Sequence, residues 1–108
     1  MSTSKEYHEY IMEQILPLGA SSRAMMGEYV VYYLDKVIGG IYDNRFLVKD
    51  INSSKLLLHD APLELPYQGA KLMLLVEDVE NKQLMEKLFK AMYNELPAPK
   101  PKKSKPKL

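Results

Sequence analysis

Apolar residues at Tyr7, Tyr10, Ile11, Ile15 and Leu18 recur at steps of three and four, the spacing of one helical face, and predict a helix from about Ser4 to Leu16. Thr3 and Glu6 stand in capping-box register at its start, and Pro17 with Gly19 ends it. From Met26 to Ile51 the period falls to two, and β-branched and aromatic residues take over, which predicts three strands. Tyr29, Val31 and Tyr33 share one face of the first strand, with Val30, Tyr32 and Leu34 on the other, so both faces need cover. An Asp35-Lys36 turn leads into Val37–Tyr42, and Asp43-Asn44-Arg45 turns again into Phe46–Ile51, giving an antiparallel meander. Gly39-Gly40 interrupts the middle strand, the signature of a bulge or of another element approaching closely; a helix lying across the pair is the expectation.

Further along, Ser53 is placed to cap a short helical piece through Lys55–His59, which Pro62 stops. Leu63–Tyr67 and Lys71–Glu77 then form a hairpin around Gln68-Gly69, its first arm kept to an edge or bulge by Pro66. A stripe of Leu84, Met85, Leu88, Phe89 and Met92 predicts a last helix from about Val79 to Leu96, with Asp78 as its N-cap. The fold class expected for residues 1–96 is therefore α+β, in the order helix, three-stranded meander, short helix, hairpin, helix. Residues 97–108 are too rich in proline and lysine to build a core of their own and are expected to form a disordered basic tail.

A length of 108 residues suits one domain. The absence of cysteine removes disulfides, thiol nucleophiles and Cys-based metal centres together. The first residues carry no apolar signal core, and the apolar runs, Leu72–Val76 among them, are far too short to cross a bilayer, so a cytoplasmic protein with no membrane partner is expected. The net charge of +1 hides an asymmetry, because Lys100, Lys102, Lys103, Lys105 and Lys107 crowd into a stretch without acids and leave −4 for residues 1–96. An acidic body is unsuited to a duplex groove, so any nucleic-acid contact is expected through those five lysines.

Reactive constellations are sparse. His8 beside Glu9 and His59 beside Asp60 are the two imidazoles, with no third ligand at metal-binding spacing. Ser21-Ser22 and Ser53-Ser54 lack the flanking glycines of a nucleophile elbow, and Gly39-Gly40 does not join a strand to a helix as a phosphate loop must. A non-enzymatic protein without cofactor is the expectation. Arg23, ahead of the first strand, and Lys49, closing the third, are expected to approach one end of the sheet and hold an anionic group, unless Arg23 serves a neighbouring acid or a helix end. Met25-Met26-Gly27 is expected to seat the strand in the core. Eight tyrosines against two phenylalanines and no tryptophan favour half-wet surfaces, which marks Tyr32 and Tyr42 as a candidate binding surface. Met12, Met85 and Met92 would suit an adaptable interface, Met85 being assigned to the core.

Arg23-Ala24-Met25-Met26-Gly27-Glu28-Tyr29, Phe46-Leu47-Val48-Lys49-Asp50, Pro66-Tyr67 and the Leu72–Val76 strand together resemble the N-terminal domain of the TfoX (Sxy) family of competence regulators, over about residues 5–96. The resemblance implies an α+β domain of the type also seen in secretion chaperones. It further implies a role in transcriptional control of competence genes alongside the cAMP receptor protein. The second domain of full-length members has no counterpart within these 108 residues. The function expected is a regulatory or protein-interaction module with a protein partner, a second copy included. The alternative is association with nucleic acid through the lysine-rich tail.

Overall fold

The computed structural model describes residues 2–98. Its elements run α1 (Lys5–Ile15), a 3₁₀ turn (Leu16–Leu18), β1 (Ala20–Met25), β2 (Glu28–Tyr33), β3 (Lys36–Ile41), β4 (Phe46–Val48), α2 (Asn52–Leu57), β5 (Leu63–Glu64), β6 (Met73–Leu75) and α3 (Lys82–Glu95). The expected α+β class is observed, and the strands form one antiparallel sheet of six in the order β1-β2-β3-β4-β6-β5.

The meander has four strands where three are expected. Ala20–Met25 pairs along its whole length with β2, from Ala20 opposite Tyr33 to Met25 opposite Glu28. The hairpin closes through Met26-Gly27, both at positive φ (53° and 85°), so the Met25-Met26 pair lies at a turn and not in the core. Met26 is 97% exposed and Met25 50%. The next two turns are equally tight. Leu34-Asp35 joins β2 to β3, one residue earlier than expected, and Asp43-Asn44, at φ 51° and 57°, is bracketed by reciprocal Tyr42 and Arg45 backbone hydrogen bonds of 2.8 and 3.0 Å. Positive φ at both central residues matches the right-handed twist of the flanking strands.

One face of this sheet carries the core. Ile11 and Ile15 of α1 and Met85, Leu88, Phe89 and Met92 of α3 are buried against Val31, Tyr33, Ile41, Phe46, Val48 and Leu74. Leu57 and Leu58, at the end of α2, pack on the same side. Capping differs from expectation by small steps. Ser4, not Thr3, accepts the Tyr7 N–H at the start of α1, and Asn81, not Asp78, accepts the Leu84 N–H at the start of α3. Thr3 is instead buried, its hydroxyl donating to the Glu28 carboxylate at 2.6 Å. At α2 the Ser54 hydroxyl accepts the Ile51 N–H, while the Glu95 carboxylate, arriving from the last turn of α3, accepts the Asn52 and Ser53 N–H groups at 3.1 and 2.7 Å. Those bonds hold the Glu95 pKa below its ordinary value. Lys36 reaches across from β3 to donate to the Tyr93 and Leu96 carbonyls, both at 2.8 Å, and closes the C-terminus of α3.

The glycine pair marks a bulge, as one of its two readings holds, and what approaches it is not a helix. Val31 faces Gly39 and Tyr32 faces Val37, so Ile38 is the extra residue. A Cβ on Gly39 would run into the Leu47 carbonyl and stand 2.8 Å from Val48 Cα. A Cβ on Gly40 would meet the ring of Tyr42, 2.6 Å from its Cζ. Among the described residues no helix is long and apolar enough to cross a membrane.

Candidate functional site

The register that sends Val31, Tyr33, Phe46 and Val48 to the helices sends Val30, Tyr32, Val37, Leu47 and Leu75 to the opposite face. Leu47 is fully buried yet lies outside the helix-side core, so this outward face has cover of its own. The cover is the connection between β5 and β6, residues 65–72. Pro66 within it is buried, and Tyr67 packs edge-on against Tyr42 at 5.8 Å between ring centres. Arg45 ties the connection down by an ion pair with Glu64 at 2.8 Å and a longer bond to the Pro66 carbonyl. Tyr42 lies over Gly40, which is why that position has no side chain.

Between the connection and the strands lies an open groove of about 600 Å³. Val37, Ile51, Leu72 and Met73 give it apolar walls, Tyr42 and Tyr67 close one side, and Lys49, Asp50 and Lys71 supply its charges. Burial raises the Tyr42 pKa, and the neighbouring Tyr67 and Glu28 add to the effect, so the ring stays a neutral hydroxyl at physiological pH. Val37 and Lys49 also line a second hollow of about 300 Å³, completed by Tyr32, Asp35, Leu96 and Ala98. The end of α3 and the start of the C-terminal stretch therefore adjoin the groove.

Of the residues singled out by sequence, Tyr32, Tyr42 and Lys49 are brought together around these two hollows. Arg23 is not. It lies within the edge strand β1 and not ahead of the sheet, and β2 and β3 separate it from β4, at whose end Lys49 stands. Three strand spacings amount to roughly 14 Å, too far for both cations to hold one small anion. Lys100, Lys102, Lys103, Lys105 and Lys107 lie outside the described residues. His8 stacks on Tyr29 at 3.6 Å and meets the Ser22 hydroxyl at 2.9 Å, and its pKa is lowered by burial, partly offset by Glu9. His59 pairs with Asp60 at 3.1 Å on the exposed surface, remote in role from His8. Sequence reasoning missed Tyr67, Lys71 and the fold-back of residues 65–72 as parts of a site. The available signal was a loop with apolar Leu65, Tyr67 and Leu72 around Pro66, more apolar than a plain hairpin turn requires.

The chain is 34% identical over 109 aligned positions to a protein of Spirochaeta aurantia described as an uncharacterised 12.7 kDa protein in the trpE 5′ region. The alignment covers 99% of this chain and 95% of the spirochaete protein. No protein-family profile matches the chain. No solved structure matches it either.

Proposed function

The chain belongs to the family of the Spirochaeta aurantia 12.7 kDa protein, and we propose that it acts as a regulatory protein-binding module that receives its partner on the outward face of the sheet. The observation that carries this reading is the groove of about 600 Å³, on the face that none of the helices covers. Its volume falls among those of sites that take a sizeable ligand, and its apolar walls with a few polar groups are what recognition requires. Half-buried Tyr32 and Tyr42 and exposed Tyr67 supply rigid, amphipathic contact area of the kind favoured at interfaces. The resemblance of residues 5–96 to TfoX N-terminal domains supports a regulatory use, with competence control as its specific form.

Capture from a cell extract tests the reading with three baits: the wild-type chain, Tyr42→Ser with Tyr67→Ser on the outward face, and Lys87→Glu on the exposed side of α3. Partners retained by wild type and Lys87→Glu but lost by the tyrosine variant support it. An identical set on all three baits removes the outward face from the function. The second reading, nucleic-acid association, is favoured by the five lysines beyond Ala98. It predicts binding that vanishes when residues 99–108 are deleted and that falls steeply with salt.

A further inference from the structure

The charges of the groove are not balanced, and this bears on what it binds. Asp50 already faces Lys55 at 3.8 Å. Lys49 and Lys71 make no ion pair among the described residues. The neighbouring hollow shares Lys49 and ends at Ala98, after which the sequence places five lysines and no acid. Lys49 and Lys71 thus make the groove locally positive in a body whose residues 1–96 carry −4.

The walls narrow the choice among anionic partners. A nucleic-acid strand would need open aromatic faces on which bases stack. Here one face of Tyr42 lies against Gly40 and the ring meets Tyr67 edge-on, at an interplanar angle of 60°. Val37, Leu72 and Met73 instead offer an apolar seat, which a side chain fills and a sugar-phosphate backbone does not.

Resting on the reading that the outward face is a docking surface, we propose that the groove takes an extended acidic peptide segment of a protein partner, an apolar side chain seated against Leu72 and Met73 and carboxylates facing Lys49 and Lys71. Solvated ion pairs of this kind give modest affinity, so binding is salt-dependent and the apolar residue decides specificity.

Fluorescence anisotropy with the full chain tests this, using four labelled probes: a short peptide alternating Glu with Leu and Phe, the same peptide with Lys for Glu, one with Ser for Leu and Phe, and oligothymidylate. The acidic apolar peptide is expected to bind saturably and the others weakly. Its affinity should fall roughly tenfold in Lys49→Glu/Lys71→Glu, on the scale of one to two kcal/mol of lost attraction and new repulsion. Raising the salt should weaken it as the screening length shrinks from about 10 Å at 0.1 M to about 3 Å at 1 M. Lys71→Glu alone, at an exposed position, gives a smaller loss without any risk to folding. Equal binding of the basic peptide, still lost in Tyr42→Ser/Tyr67→Ser, overturns the acidic specificity and leaves the docking face standing. Acidic-peptide binding that ignores the groove variants and disappears on deleting residues 99–108 overturns the groove. Tighter binding of oligothymidylate at the groove transfers the site to nucleic acid. No binding of the acidic apolar peptide defeats the inference, and the capture experiment then decides the docking face alone.

Discussion

Adjacent glycines in β3 should respond oppositely to the same substitution. Alanine normally stabilises a compatible glycine position by about 0.4–1 kcal/mol, through the smaller entropy of the unfolded chain. At Gly39 the new methyl would stand 2.8 Å from Val48 Cα and closer still to the Leu47 carbonyl. Carbon atoms prefer about 3.5–4.0 Å, so β4 has to retreat by roughly 1 Å. That strand is held on both sides, by β3 and by β6, and has nowhere to go. Overpacking against backbone of this kind costs about 1–3 kcal/mol or more, so Gly39→Ala should lose about 2–3 kcal/mol net. For a domain of this size the melting temperature then falls by roughly 10–20 °C. At Gly40 the obstacle is the ring of Tyr42, which can swing outward. Gly40→Ala should therefore stay within about 1 kcal/mol of wild type while changing the near-ultraviolet tyrosine spectrum. Thermal and urea melts followed by far-ultraviolet circular dichroism measure both. A Gly39→Ala melt as high as wild type, or a larger loss at Gly40, would refute the close approach of β4 to Gly39.

Leu88 is fully buried between α3 and the sheet, so Leu88→Ala should cost about 2–5 kcal/mol. Deleting residues 99–108, which carry little apolar area, should leave the melt nearly unmoved, and equal losses in the two proteins would sink that division of the chain. Glu95 has a lowered pKa in the folded protein, so its cap on α2 contributes fully above the unfolded carboxylate range and is lost as pH falls through the folded value. Melts of Glu95→Gln should start lower at neutral pH and show a flatter acid limb; parallel curves for the two proteins would contradict the cap. His8 also has a lowered pKa, set by burial on Tyr29 and opposed by Glu9, so the unfolded chain takes up its proton first. Stability should decline as pH drops below about 6.5, the ordinary histidine value, and His8→Phe should remove that part of the decline. An unchanged pH profile in His8→Phe would show that the stack carries no such coupling.

The long helices and the middle strands are legible in the sequence because their burial follows a local period. Ile11 with Ile15, and Met85, Leu88, Phe89 with Met92, hold the helical spacing, and in β2 buried Val31 and Tyr33 alternate with half-buried neighbours. Strand β1 is not legible, because Ala20, Ser22 and Ala24 face α1 with small side chains and show no apolar alternation. Its extended form comes from pairing with β2, and pairing is a non-local fact. That omission also misplaces Arg23, which only a sheet with an added outer strand sets apart from Lys49. The caps slip for a different reason. Thr3 and Ser4, or Asp78 and Asn81, are chemically interchangeable at a helix start, and the half-buried Glu28 carboxylate that claims Thr3 comes from β2, far along the chain. Around the two hollows, Tyr32 lies on β2, and Tyr42 and Lys49 directly follow β3 and β4, so their places can be read from the strands, whereas Tyr67 and Lys71 join them only because residues 65–72 fold back.

The two borders of the sheet are unequal, and this limits how copies of the chain can join. On one border β5 is two residues long and stands between Pro62 and Pro66, so it offers almost no backbone to an incoming strand. On the other, β1 presents six residues without a proline. Growth of the sheet from molecule to molecule, the first step of fibre formation, needs two receptive borders on each unit. With one border closed, strand addition between identical copies is restricted to β1 against β1, an isologous contact that uses up the receptive border of both and halts at a pair.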